Sequence, residues 1–217
     1  MLALNFDHRC NTMRPRWRGR LHAAAAAAAI PLGALLIAAA QGTAATITAA
    51  IYVVSLVAAY ATSASYHLLA RTLRSQQLMQ RADHAMIFVL IAGSATPIFL
   101  LSMSRPWGTA LLTCTWIAAL CGVLLKVTGR AERRVVTLYL MVSWTTALSV
   151  PSLVRHSDLV TVGLVVAGGA LYTVGAVLFA ANRPKLRPEV FGYHEVWHLF
   201  TIAAGAAHFI AISRLAA

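Results

Sequence analysis

Apolar residues in this 217-residue chain are gathered in seven long runs, separated by short polar segments. The runs cover roughly residues 22–41, 45–70, 84–103, 108–127, 135–154, 159–181 and 193–213. At 1.5 Å per residue, a helix of about 20 residues crosses the roughly 30 Å hydrocarbon core of a bilayer. Because the connections are short, we predict an all-α polytopic membrane protein, with a seven-transmembrane-helix bundle at residues 22–217.

The first apolar run follows a basic segment, residues 1–21, with five arginines and one acid. A basic start before an apolar run is also typical of a signal peptide. The run of about 19 residues is nearer to spanning length than to the roughly 7–15 residues of a signal peptide. We therefore interpret residues 1–21 as a basic cytoplasmic tail and the first run as a retained helix.

The composition supports the membrane assignment, since 59% of residues are hydrophobic and only 11% are charged. Soluble domains carry about a quarter charged residues. A net charge of +12 could suggest a nucleic-acid partner. The basic residues lie in short clusters between the apolar runs, however, which is the pattern of membrane topology. We therefore expect lipids, and no nucleic acid, as partners.

The distribution of basic residues between alternate connections predicts the orientation. Of the 18 Lys and Arg, only Arg105, Arg155 and Arg214 fall on one side of a seven-helix chain, and the other 15 fall on the opposite side. Basic residues are concentrated on the cytoplasmic side of membrane proteins. We predict a cytoplasmic N-terminus and a C-terminus outside.

A pair of histidines at the start of the last run is the strongest candidate for chemistry. His194 and His198 are four residues apart, so a helix places both imidazoles on one face, one turn apart. This spacing lets two nitrogens bind one zinc ion. With Glu195 the segment also reads H-E-x-x-H, in which the Glu of soluble zinc proteases is the general base.

The predicted topology brings three distant segments to the same depth. The second run ends near the cytoplasmic face with Ser63 and His67, the third begins there with Asp83, and the last begins there with the histidine pair. Two histidines from the last helix and His67 supply three nitrogen ligands, the number typical of catalytic zinc sites. Asp83 is either a fourth ligand or the residue that holds the zinc-bound water.

The other histidines are weaker candidates. His208 lies ten residues beyond His198, about 15 Å along a helix, which is too far to share an ion. We expect it to be packed or hydrogen-bonded near the outer leaflet. His8, His22, His84 and His156 are expected to be solvated or at the membrane interface.

These motifs resemble one protein family. Ser63-x-x-x-His67, Asp83 followed by the segment Ile91-Ala-Gly-Ser-Ala-Thr-Pro97, and His194-x-x-x-His198 are similar to those of the haemolysin III proteins. That family is the bacterial branch of the progestin and adiponectin receptor family. The resemblance covers about residues 20–215. It implies a seven-helix bundle in the bacterial inner membrane.

The resemblance also implies roles for the site residues. It implies that His67, His194 and His198 bind zinc and that Asp83 holds the zinc-bound water. Ser63 is then a polar residue just outside the ligand set. Animal receptors of the family are linked to ceramide hydrolysis, which implies a zinc-dependent hydrolase of lipid amides or esters. Glu195 departs from the animal receptors, which have an uncharged residue there, so it is the less favoured base.

Two other hypotheses remain open at this stage. One is an intramembrane metalloprotease, in which Glu195 is the general base. Such enzymes usually take a third ligand, an Asp, from a later helix, and this chain has no later run. The other is a non-enzymatic bundle stapled by zinc, which senses the membrane state or permeabilises target membranes. A closed four-ligand site favours a structural role, and an open site favours catalysis.

Overall fold

A computed structural model of the chain describes Pro15 and residues 17–129, 135–187 and 189–217. Most of the predicted basic tail lies outside these ranges. The described residues form eight α-helices and one 3-10 helix, listed in chain order: α1 Arg20–Ala39, α2 Thr43–Leu69, α3 Leu73–Ser102, α4 Arg105–Val127, α5 Val135–Trp144, the 3-10 helix Thr145–Ser149, α6 Val150–His156, α7 Leu159–Ala180 and α8 Tyr193–Ala216. Seven helical segments within the described ranges are long and apolar enough to cross a membrane. The predicted all-α membrane fold is confirmed.

The fifth spanning segment is interrupted where a single helix was expected. The 3-10 helix Thr145–Ser149 separates α5 from α6, and Pro151 lies in the first turn of α6. Proline has no backbone N–H to donate and its ring crowds the preceding turn, so an α-helix cannot continue unchanged through this position. The segment Thr137–His156 nevertheless remains long enough to span a membrane.

α3 begins at Leu73, 11 residues before the start that the apolar pattern predicted. The side chain of Thr72 accepts a hydrogen bond from the backbone N–H of Ser75, and the Ser75 side chain accepts one from Thr72 in return. This capping box starts the helix in a polar segment. The expectation that Asp83 begins the helix is therefore wrong, since Asp83 lies about 15 Å along it.

α8 packs on α7 and also contacts α1, α2 and α3. Two tyrosines of α2 donate hydrogen bonds to its backbone: Tyr52 to the Gly205 carbonyl at 3.1 Å and Tyr60 to the Thr201 carbonyl at 3.2 Å. Gly175 of α7 permits close approach on the other side, since a Cβ there would lie 2.7 Å from Phe200 Cβ. These contacts fix the position of the α8 side chains.

The far end of α8 is held by a separate polar cluster. Arg214 lies 3.1 Å from the carboxylate of Asp158, which caps α7 through the backbone N–H groups of Val160 and Thr161. Hydrogen bonding from the Thr161 hydroxyl, with smaller help from Arg214, lowers the pKa of Asp158 to about 2. This carboxylate therefore stays ionised at ordinary pH, and both ends of α8 are anchored.

The orientation of the bundle in the membrane stays a prediction. A reporter fused after Ala217 is expected to be active only outside the cytoplasm, because the sequence assigns 15 of the 18 Lys and Arg to connections on the opposite side. Fusions in the connection between α1 and α2, near Gly42, provide a control on the same side. A C-terminal reporter that is active only in the cytoplasm would show that the number of membrane crossings is even or that the orientation is reversed.

Candidate metal centre

The structure brings together the three predicted histidine ligands. His67 lies in the last turn of α2, and His194 and His198 lie in the first two turns of α8. Their possible ligand atoms all fall within 4.8 Å of one another. His67 and His198 are buried, and His194 is partly buried. The helical spacing and the packing of α2 on α8 therefore create a cluster of three imidazoles from two helices.

The His194 ring meets the other two rings edge to face, whereas the rings of His67 and His198 are tilted towards each other at 49°. The Nε2 atoms of His67 and His194 are 3.1 Å apart, and their rings are perpendicular. The His198 ring centroid lies 5.1 Å from that of His67 and 4.7 Å from that of His194. Phe179 of α7 covers His194, with ring centroids 5.3 Å apart.

This geometry fits a tetrahedral metal site. Zinc–nitrogen bonds of about 2.0–2.1 Å place tetrahedral ligand nitrogens roughly 3.3–3.4 Å apart. The separation of 3.1 Å between His67 and His194 is close to this value. Among the described residues, Nδ1 of His198 is buried and has no hydrogen-bond partner, as is also true of Nδ1 in His22 and His208. A buried polar atom without a partner is costly, and imidazole nitrogens are common metal ligands. The residues present therefore suit a metal ion.

Ser63 and Asp83 form a hydrogen-bonded pair beside this cluster. Ser63 is buried and precedes His67 by one helical turn on the same face of α2. Its hydroxyl is hydrogen-bonded to the carboxylate of Asp83 on α3. The pair connects α3 to the turn of α2 that precedes His67. Among the described residues, Asp83 is not one of those whose ligand atoms converge in the cluster.

Glu195, the predicted alternative base, has other partners. Its side chain is completely buried, and its Oε1 accepts a hydrogen bond from Arg18 Nε at 2.7 Å. Its Oε2 accepts one from the backbone N–H of Gly192, the N-cap residue of α8, also at 2.7 Å. Both carboxylate oxygens are thus engaged in holding α8 and the residues before α1.

His22 is a neighbour of the site that the sequence analysis did not identify. It was expected to be solvated or interfacial, but it is 5% exposed. Its ring stacks on that of His198, with a centroid distance of 3.9 Å and an angle of 13°. The sequence did contain a clue. His22 lies at the start of the first run, on the same predicted side of the membrane as the end of α2 and the start of α8.

Among the described residues, the remaining histidines are not members of the three-residue cluster. His208 is buried, and its Nε2 donates to the Val165 carbonyl at 3.2 Å. His156 is exposed at the end of α6. His84 follows Asp83 on α3, and its carbonyl accepts a hydrogen bond from Tyr139 at 2.7 Å. His8 lies outside the described residues.

Fold and site together define a multi-pass integral membrane protein with a histidine cluster that has the geometry of a metal site. Comparison with known families agrees with this class. The sequence model of the family described as "Haemolysin-III related" matches residues 10–209. The chain belongs to this family, as its motifs predicted.

Curated relatives cover most of the chain. Hemolysin-3 of Bacillus cereus is 29% identical over 196 residues, which is 88% of this chain and 86% of the relative. The Hemolysin-3 homolog of Bacillus subtilis (strain 168) is 28% identical over 164 residues, 75% of this chain and 74% of the relative. The human monocyte to macrophage differentiation factor is 28% identical over 174 residues, 76% of this chain and 69% of the relative.

Proposed function

We propose that this protein is a zinc-dependent hydrolase of lipid amides or esters, placed in the bacterial inner membrane with its site near the cytoplasmic leaflet. The observation that carries the proposal is the three-histidine cluster with the Ser63–Asp83 pair one helical turn away. Catalytic zinc sites usually have three protein ligands, whereas structural sites usually have four.

In the proposed reaction, different residues would bind the metal, transfer the proton and orient the base. His67, His194 and His198 would hold the ion. Zinc lowers the pKa of water towards 7 and polarises a carbonyl group. Asp83 would take the proton from the water that attacks the lipid carbonyl, and would return it to the leaving amine or alcohol. Ser63 would keep the Asp83 carboxylate oriented.

Lipids are the substrate class that the location of the site favours. The cluster lies where α2 ends and α8 begins, inside a bundle whose outer side chains are apolar. An amide or ester bond near the headgroups of the membrane would reach this depth without leaving the bilayer. The family resemblance to proteins linked to ceramide hydrolysis supports an acyl lipid in particular.

Replacing Asp83 by asparagine tests the assignment of the base. We expect Asp83→Asn to keep its zinc but to lose lipid hydrolysis by about 10²–10⁴-fold, the usual contribution of a general base. The measurement is fatty-acid release from labelled ceramide and acyl-ester lipids in proteoliposomes, together with zinc content. Asp158→Asn is the matched control, because Asp158 is an exposed carboxylate at the other end of α8. Full activity in Asp83→Asn would exclude Asp83 as the base.

A non-enzymatic zinc-stapled protein is the competing hypothesis. Two relatives carry the name hemolysin, a name that refers to the lysis of cells and not to hydrolysis. If zinc-loaded wild type releases fatty acid from none of the lipids tested but makes vesicles leak, the membrane-permeabilising role is supported. The metalloprotease hypothesis is disfavoured, because Arg18 and Gly192 engage both carboxylate oxygens of Glu195.

A further inference from the structure

The segment 18–22, which leads into α1 and includes its first residues, contacts all the parts of the chain that carry the histidine cluster. Arg18 is ion-paired to Glu195, the residue after His194. Gly19 lies against the α2 turn of His67, since a Cβ at Gly19 would be 2.8 Å from His67 Cβ. Gly19 also has a φ of +80°, a conformation that favours glycine. His22 stacks on His198.

The hydrogen bonds of His22 determine which of its nitrogens carries the hydrogen. Thr201 donates its hydroxyl hydrogen to the His198 carbonyl at 2.8 Å. Nε2 of His22 lies 2.9 Å from the same hydroxyl oxygen. Because a hydroxyl has one hydrogen to give, the imidazole must donate at this contact. The ring of His22 is thus fixed in its plane by Thr201.

His22 is badly placed to bind the same ion as His198. A metal ion lies close to the plane of an imidazole that binds it. The two rings are nearly parallel, at 13°, with centroids 3.9 Å apart, so their planes do not meet at a common ion. His22 instead stacks on one face of the His198 ring. The rings of His67 and His194 also contact His198, but they are not stacked on it.

We propose that the segment 18–22 at the start of α1 is a positioning element for the metal centre. In it, His22 fixes the ring plane of His198, while Arg18 and Gly19 hold the segments that carry the other ligands. The inference rests on zinc binding by the histidine cluster, which is part of the proposed function. Outer contacts of this kind restrict ligand motion before the ion binds, and removing one typically weakens metal affinity about 10–100-fold.

Metal affinity is the appropriate test, because it does not depend on any enzymatic turnover. Zinc is titrated into the purified full-length protein against a competing chelator. Cobalt is then substituted, because its visible spectrum changes with coordination number and geometry. We expect His22→Ala to weaken zinc binding about 10–100-fold and to change the cobalt spectrum. His22→Phe keeps a flat ring and should recover much of the affinity.

His208→Ala is the matched control, since His208 is also a buried histidine with one hydrogen bond, but it packs against α7. Zinc affinity and a cobalt spectrum in His22→Ala that equal those of wild type would overturn the positioning role. Equal losses in His22→Ala and His208→Ala would overturn it as well, because they would indicate general loosening of the fold.

The outcomes separate this inference from the hydrolase proposal. If wild type binds zinc but cleaves no lipid, the hydrolase proposal is wrong. The positioning role is still supported in that case if the His22 variants behave as expected. Wild type that binds no metal overturns both.

Discussion

Replacing His198 by alanine is expected to abolish stoichiometric metal binding and to remove the stabilisation that zinc gives the folded protein. His198 is one of three buried histidines among the described residues whose Nδ1 has no hydrogen-bond partner, and its ring alone of these three contacts both His67 and His194. A ligand that binds only the folded state stabilises it by about 2.7 kcal/mol at 100 times its dissociation constant. Wild type should therefore gain thermal stability with added zinc, and His198→Ala should not.

The same experiment on the other histidines locates the site. His67→Ala and His194→Ala should behave like His198→Ala, because each removes one member of the cluster. His208→Ala should keep its zinc, since His208 lies about 15 Å farther along α8. Loss of zinc in His208→Ala, with retention in His67→Ala, would show that the metal lies at the other end of the bundle.

Replacing Glu195 by alanine should have the largest effect on stability outside the cluster. The side chain of Glu195 is fully buried and that of Arg18 is 27% exposed, so the variant leaves the arginine without its ion partner in a mostly buried place. Removing one partner of a buried ion pair costs about 3–5 kcal/mol. Thermal unfolding in detergent should therefore occur at a clearly lower temperature in Glu195→Ala.

Two further variants test whether the loss of stability in Glu195→Ala comes from the broken ion pair. Arg18→Ala combined with Glu195→Ala should cost less than the sum of the single changes, because the two residues interact directly. Arg214→Ala breaks the half-exposed pair with Asp158 and should have a small effect, about 0–1 kcal/mol.

The conservative change Glu195→Gln distinguishes the hydrolase from the protease hypothesis. Glutamine keeps the shape of the side chain but has one acceptor oxygen for the two donors, Arg18 and Gly192. The variant should therefore be less stable than wild type, but the molecules that fold should bind zinc and keep most lipid hydrolysis. A well-folded, zinc-loaded Glu195→Gln protein without activity would mean that Glu195 takes a proton in the reaction.

The sequence was sufficient to predict the fold class and the histidine cluster for two physical reasons. Membrane-spanning helices need long apolar runs, and the alternation of basic residues limits which helix ends share a depth. His67 and the pair at the start of the last run could therefore be grouped before any distance was known. The i to i+4 spacing of His194 and His198 completed the prediction.

The features that the sequence did not predict depend mostly on packing between helices. The pattern did not reveal that Glu195 would turn towards Arg18, because the pairing joins residues 177 positions apart. His22 was misassigned for the same reason: an isolated histidine at a helix start is usually interfacial, and only the contact of α1 with α8 buries it. The early start of α3 was missed because a capping box extended the helix beyond the apolar run.

Elemental analysis of the purified protein tests the central claim most directly. Wild type and His198→Ala would be purified in parallel without chelator, and their metal content measured against protein concentration. The proposed site predicts about one equivalent of zinc in wild type and almost none in the variant. A wild-type protein without metal, or a variant that retains a full equivalent, would contradict it.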